Sequence, residues 1–468
     1  MAKPQHEPGV ILDGFRLDEM VHYGGMAMLW RVSRPGDTTP MLMKLPRIGE
    51  GTDPAAIVSF EMEQMILPRL SGVHVPKFIA AGDFAAQPFL VMERLDGKSL
   101  LERLPALPLP YAEVAAIGAK IAAALDDLHR QHVVHLDIKP SNIMFGPSGE
   151  AVLLDFGLSH HDQLPDLMQE EFRLPFGTAP YMSPEQLRGI RSDPRSDIFA
   201  LGVLLYFFST GERPFGESET IYGMRRRLWR DPVPPRKLKA GYPLWLQEIV
   251  LRCLEIEPAW RYPTAAQLAF ELSHPDEVKL TARSERLQRD PWTTVLRRRF
   301  NRDLTRPRPQ ALSERLTNAP IIAVAIDVTD GDVPLNEELR LMAERMLATM
   351  PSARLACVNV LRQARLALDT TLDRAGHNKH IERMVALKAW AEPLKLGESR
   401  LTVHVFEATD PAAAILEFVR ANHVDHIVIG ARQSSMLRSL LGSVSAKIAA
   451  EAGCTVTVVR PSRRSAAG

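Results

Sequence analysis

Two short apolar runs, each ending in a cluster of polar residues, constrain this chain more than any other feature. His132-Val133-Val134 leads into His135-Leu136-Asp137-Ile138-Lys139-Pro140-Ser141-Asn142, and Ala151-Val152-Leu153-Leu154 leads into Asp155-Phe156-Gly157. Runs of this length and composition read as short buried strands. A fold that buries both delivers the polar groups that follow to one cleft edge. Asp137 can accept the proton of an attacking hydroxyl, and Lys139 can neutralise charge on a transferred phosphoryl group. Asn142 and Asp155 offer hard oxygen donors to a Mg²⁺ ion bridging the phosphates of ATP. Chemistry of that kind is positioning plus electrostatics and needs no covalent enzyme intermediate. Either motif alone could be a surface turn matched by chance; their order and pairing argue against that.

With these motifs, residues 1–275 resemble the eukaryotic-like serine/threonine kinases of bacteria. The resemblance implies an α+β bilobal protein kinase fold, with a small lobe over about 10–92 and a large lobe over about 96–275. Met41-Leu42-Met43-Lys44 matches the strand carrying the family's phosphate-binding lysine. Glu63, in the helical stretch Ala55 to Leu67, matches that lysine's ion-pair partner. Val21-His22-Tyr23-Gly24-Gly25-Met26-Ala27-Met28-Leu29 resembles the glycine-rich loop over ATP, where glycines let backbone amides approach phosphates. His22 stands at the position of the family's first glycine, and Leu29 at that of the valine packing on adenine. Phe89 to Leu95 resembles the hinge, which implies that Met92 lines the adenine pocket and backbone groups of Glu93 and Leu95 bind the adenine edge.

The stretch Gly177-Thr178-Ala179-Pro180-Tyr181-Met182-Ser183-Pro184-Glu185 resembles the end of the family's activation segment, which docks peptide substrates. The resemblance implies that Glu185 pairs with Arg261, that Asp197 ties the catalytic loop to a buried helix, and that Thr178 bonds near Asp137. Thr178 also marks serine/threonine over tyrosine preference. One departure is informative: Leu136 occupies the place of the arginine that anchors an activation-loop phosphate in regulated relatives. From Leu158 to Gly177 only Ser159 bears a hydroxyl, while Asp162, Asp166, Glu170 and Glu171 carry negative charge already. Loop phosphorylation is therefore not expected to be the main switch.

A net charge of +1 with 24% charged and 46% hydrophobic residues fits folded domains with no global attraction to nucleic acid or membrane. Cys253, Cys357 and Cys454 are far apart in apolar surroundings and read as reduced thiols. Met1 to Val10 is polar, without a secretory signal, and Ile198 to Phe208 is too short to span a bilayer. The expectation is a cytoplasmic protein without a membrane span. Residues 276–317 are rich in arginine and proline, including Arg297-Arg298-Arg299 and Arg306-Pro307-Arg308-Pro309. They read as a linker that could also dock on acidic surface.

Beyond residue 318 apolar strands alternate with helices. Strands are expected at Ile321 to Ile326, Leu355 to Leu361, Leu401 to Phe406, His426 to Ile429 and Thr455 to Val459, and helices at Asn336 to Met350, Pro411 to Asn422 and Val444 to Ala452. That alternation implies an α/β doubly wound parallel sheet with any ligand at its strands' carboxyl ends. Residues 318–462 resemble the universal stress protein family, leaving 463–468 as a tail. Asp327 falls where that family contacts adenine. Gly430-Ala431-Arg432-Gln433, Ser434 to Leu441 and Gly442-Ser443 resemble its phosphate loop opening a helix. Gln433 replaces a family glycine and the spacer to Gly442 is one residue short. A structural or dimerising domain, in which Gly430 and Gly442 merely satisfy turns, therefore stays open beside a second ATP or AMP site.

The resemblance thus implies an ATP- and Mg²⁺-dependent serine/threonine protein kinase, with Mn²⁺ as a substitute ion and Ser/Thr-bearing proteins as substrates. Its C-terminal domain would sense a nucleotide, recruit a partner or form a homodimer. The alternative is a pseudokinase scaffold that binds ATP and transfers little phosphate.

Overall fold

The computed structural model describes residues 6–49, 53–172, 174–216, 220–300, 319–328, 333–363, 372, 378–431 and 443–461. The first layer is a six-stranded antiparallel sheet: β1 (Ile11–Leu12), β2 (Phe15–Tyr23), β3 (Ala27–Arg34), β4 (Asp37–Pro46), β5 (Phe78–Gly82) and β6 (Phe89–Glu93), in the order β1-β2-β3-β4-β6-β5. Phe15, Leu17, Trp30, Met43 and Val91 pack its apolar face. Helix α1 (Pro54–Ile66) starts because the Asp53 side chain accepts from Ala55 N at 2.9 Å while Pro54 takes the first turn.

The second layer is mostly helical: α2 (Tyr111–Arg130), α3 (Leu167–Glu171), α4 (Arg195–Thr210), the short α5 (Ile221–Met224) and α6 (Pro235–Leu238), then α7 (Leu244–Cys253), α8 (Ala265–Ser273) and α9 (Trp292–Arg299). Helix α4 is buried along nearly its whole length. It can lie against α7 because Gly202 has no side chain; a Cβ there would sit 2.5 Å from the Cβ of Cys253. Between the layers run β7 (Lys98–Ser99), β8 (Val133–Val134), β9 (Ile143–Phe145), β10 (Ala151–Leu153) and β11 (His160–His161). β8 pairs with β11 and β10 with β9, all antiparallel. The two apolar runs are therefore buried strands, and the polar residues that follow them face the same cleft.

The chain from 276 to 300, expected as the start of a linker, is held against the large lobe. The Gln247 amide donates to the carbonyls of Arg283, Ser284 and Arg286. Arg283 pairs with Glu248 and Glu255, and Arg286 and Arg298 with Asp231. Arg306 to Pro309 lies outside the described residues.

The C-terminal region is a five-stranded sheet of β12 (Ile321–Ala325), β13 (Arg354–Arg362), β14 (Leu401–Ala408), β15 (His426–Gly430) and β16 (Thr455–Val459), in the order β14-β13-β12-β15-β16. Every pairing is parallel, so each crossover needs a helix. These are α10 (Val333–Thr349), α11 (Lys379–Ala391), α12 (Pro411–Ala421) and α13 (Ser443–Glu451). Helix α11 is not among the elements expected from the sequence; it starts at Asn378, whose side chain accepts from His380 N and Ile381 N. One buried apolar cluster runs from the large lobe through α1 and α3 into this sheet, joining Phe60 and Met168 to Leu355, Leu387 and Trp390.

Candidate active site

Lys44 on β4 lies cross-strand from Leu29 on β3, under the turn of Gly24 and Gly25. Gly24 N donates to Ala27 O at 2.9 Å, and Arg47 closes the turn from the side by donating to Gly24 O at 2.9 Å. The His22 ring sits beside Gly24, 3.1 Å from where a Cβ would stand. Val21 is exposed on the outer part of β2. At the other end of the cleft Met92 of β6 lies opposite Leu42. Glu93 donates its N–H to Lys77 O at 2.9 Å, so only its carbonyl could serve the expected contact with a base. Leu95 follows, partly buried, where the two layers meet.

Glu63 projects from α1 to Lys44, with Nζ to Oε2 at 2.5 Å, and Lys44 also reaches Asp155 Oδ1 at 3.0 Å. Burial works against the ammonium, yet Asp155 and Glu63 outweigh it and hold Lys44 above the ordinary lysine value. Lys44 in turn holds the Asp155 carboxyl down at about 2, so it is ionised at neutral pH. Asp155 takes a positive φ of 65°, a strained conformation for a non-glycine residue. Its neighbours hold it there: Phe156 is fully buried against the His135 ring, and His135 Nε2 bonds Leu154 O at 3.0 Å.

Asp137 is buried and accepts bonds on both oxygens. Thr178 donates to Oδ1 from its hydroxyl at 2.7 Å and its amide at 3.0 Å. Lys139 Nζ reaches Oδ2 at 2.6 Å and Thr178 Oγ1 at 3.0 Å. Asn142 donates from Nδ2 to Asp137 O at 3.0 Å and to Oδ2 at 3.1 Å, which turns its amide oxygen the other way, toward Ser141. Leu154 N donates to Asn142 O at 2.9 Å, which joins the two motifs directly. One carboxylate and one amide oxygen make a donor set Mg²⁺ accepts when substrate phosphates complete its shell. Among the described residues no cluster of three or more His, Cys, Asp or Glu side chains could hold a metal without such help.

The loop is suspended from α4. Asp197 accepts from His135 N at 2.9 Å, Leu136 N at 2.8 Å and the His129 ring at 2.9 Å. These bonds retain Leu136 at a φ of 65°. Glu185 and Arg261, both fully buried, form a bidentate pair at 2.5 and 2.8 Å. Both contacts lie where the sequence resemblance places them.

Sequence reasoning missed the anchoring of the segment after Asp155. Arg191 donates to Asp166 at 2.7 Å and to Leu158 O at 2.9 Å, while the His160 ring bonds the same carboxylate. Burial opposes ionisation of Asp166, but Arg191 and His160 overcome it and hold its pKa well below the usual carboxylate range. Ser159, the single hydroxyl of the segment, is buried and donates to His135 O. No local sequence pattern marks Arg191 for this role.

In the C-terminal sheet Asp327 and Gly430 lie at the carboxyl ends of the adjacent strands β12 and β15, where the strand order reverses. That is the crevice in which doubly wound sheets bind ligands. A Cβ at Gly430 would stand 2.8 Å from Leu335 Cδ2, so a side chain there would have to displace that leucine. Ser443 opens α13; Gly442 and Gln433 lie outside the described residues.

The protein kinase domain family model matches residues 51–364, and the universal stress protein family model matches residues 320–460. Where they overlap, the structure has β12, α10 and β13 of the parallel sheet. Serine/threonine-protein kinase PknB of Mycobacterium leprae is 28% identical over 58% of this chain and 44% of its own length. PknB of Mycolicibacterium smegmatis is 28% identical over 70% and 54%. The probable serine/threonine-protein kinase PknB of Corynebacterium glutamicum is 31% identical over 56% and 42%. The chain spans about half the length of these curated relatives. Among solved structures, the Mycobacterium tuberculosis PknI kinase domain aligns at 23% identity and a TM-score of 0.45, over 57% of this chain and 98% of that one. With one family model spanning more than half of its length and a second behind it, this chain belongs to the protein kinase family and carries a universal stress protein region at its C-terminal end.

Proposed function

We propose that this chain transfers the γ-phosphate of ATP to serine or threonine hydroxyls of protein substrates. The observation that carries the reading is the joint arrangement of Lys44, Glu63 and Asp155 on one side of the cleft and Asp137, Lys139 and Thr178 on the other. In this reading Asp137 orients the substrate hydroxyl and takes its proton, and Lys139 offsets charge on the moving phosphoryl group. Asn142 and Asp155 would hold Mg²⁺, which would offset charge on the phosphates. Lys44, kept in place by Glu63, engages the non-transferred phosphates. Val21, Gly24, Gly25 and Leu29 cover the nucleotide, while Met92, the Glu93 carbonyl and Leu95 receive its base. Supporting it further, the relatives quoted above are named serine/threonine kinases. Nothing in the site geometry favours the pseudokinase scaffold.

The kinase unit in this reading extends from the N-terminus to about residue 300, past the 275 expected from sequence, because 276–300 is bonded to the large lobe. For the C-terminal region, Asp327 and Gly430 would bound a second nucleotide crevice with Gly442 and Ser443, and self-association would use the edge strand β16. Incubation with radiolabelled ATP, Mg²⁺ and a basic protein substrate tests the main reading. Label should enter with wild type and be lost in Asp137→Ala and Lys44→Ala; equal incorporation by wild type and Asp137→Ala would reject it.

A further inference from the structure

Helix α1 is gripped from two sides. Glu63 faces Lys44 in the cleft, and Glu61, two residues away and so on the opposite face of the helix, pairs with Lys388 of α11. Lys388 also lies 5.6 Å from the centre of the Phe84 ring. Helix α3, which packs against α1, is gripped in the same way. Arg354 of β13 donates to Glu170 at 2.8 Å, and Asn422 at the end of α12 donates to the Glu170 carbonyl at 3.2 Å. His404 of β14, wholly buried, places Nδ1 3.1 Å from Glu171 and Nε2 3.1 Å from Glu170, with Thr402 Oγ1 2.9 Å from Nε2.

The charges of this buried group balance only with both imidazole nitrogens protonated. Arg354 and His404 then oppose Glu170 and Glu171. A neutral ring would leave the buried group with an uncompensated negative charge. Burial disfavours the imidazolium, yet Glu170 and Glu171 outweigh it and hold His404 at about 9.

Resting on the kinase reading above, we infer that Lys388, Arg354 and His404 of the C-terminal domain are positioning residues for phosphoryl transfer. They act through Glu61 on α1, and so on Glu63 and Lys44, and through Glu170 and Glu171 on α3, and so on the segment leading to Thr178. Leu136 explains why such a brace is needed, since the catalytic loop has no arginine at that position to anchor the segment. Arg191 holds the start of α3 through Asp166, and the C-terminal domain holds its end. The segment is thus ordered by carboxylates encoded in the sequence, without an added phosphate.

The test uses the full-length protein with Lys388→Glu, Glu61→Lys and the double swap, Lys388 being the exposed and Glu61 the buried member of the pair. It reads kcat and KM with ATP and a serine-containing peptide, with hydrogen exchange of α1 and α3 amides as a second measurement. Each single variant is expected to lower kcat about tenfold with peptide KM within about twofold, and to speed exchange in α1; the double swap should restore both. Folded single variants with wild-type kcat and exchange, or losses the double swap does not recover, overturn the inference. His404→Gln and Arg354→Met extend the readouts to α3, and unchanged exchange across Leu167–Glu171 would remove them from the assignment. A wild type that transfers no phosphate while exchange still follows the swap would reject the kinase reading and leave the brace standing.

Discussion

Asp137 receives donors from Thr178, Lys139 and Asn142, an arrangement that fixes the orientation of its carboxylate. Replacing it by asparagine keeps the shape and removes the proton acceptor. Asp137→Asn should lower kcat about 10³-fold with an unchanged unfolding midpoint, measured by steady-state phosphotransfer and thermal melting. Thr178→Ala removes a hydroxyl bonded to a charged group and should cost kcat roughly tenfold; a variant at wild-type rate would show that Thr178 is only a turn residue. These residues were legible beforehand because each sits within a few positions of a motif whose chemistry names its members. The exception at this scale is the Glu93 amide, spent on Lys77, a partner that no local reading supplies.

Among the elements, α4 and the peptide segment before it depend on a buried pair with no solvent to replace it. Arg261→Met leaves the Glu185 carboxylate buried without its partner, and should lower unfolding free energy by about 3–5 kcal/mol in urea titration. An unchanged midpoint would mean the pair is not closed in solution. The five strands of the C-terminal sheet and helices α1, α12 and α13 lie within a residue or two of where they were expected, because apolar period and length separate them. Helices α2, α3, α7, α8 and α11 were not expected. Helix α3 is too short to carry a period and depends on Asp166 as its N-cap. Helix α11 has its cap at Asn378 and buried apolar positions at Met384, Leu387 and Ala391.

For the whole molecule, pH probes the join between its two regions. The charged groups facing His404 are Glu170 and Glu171 from α3, with Arg354 of β13 beside Glu170 and Glu61 of α1 near enough to act on Glu171. Because the folded His404 value lies above the ordinary 6.5, its contribution is fully present below about 6.5 and lost as pH rises through about 9. The melting temperature of the full-length protein should fall across that window, and the fall should be smaller in His404→Gln. Equal slopes in both would show that His404 is not charged in the native state. Among the described residues no helix is long and apolar enough to cross a membrane.

The kinase motifs and the alternation that makes the second sheet parallel are legible in the sequence, since these depend on neighbours in the chain and on burial period. The sequence could not determine that Arg354, Lys388 and His404 meet Glu170, Glu61 and Glu171, which lie 184, 327 and 233 residues earlier. Read alone, each is an ordinary surface charge or a lone histidine. Only the packing of α11, β13 and β14 against α1 and α3 removes water from these groups, and a buried charge must then find its opposite.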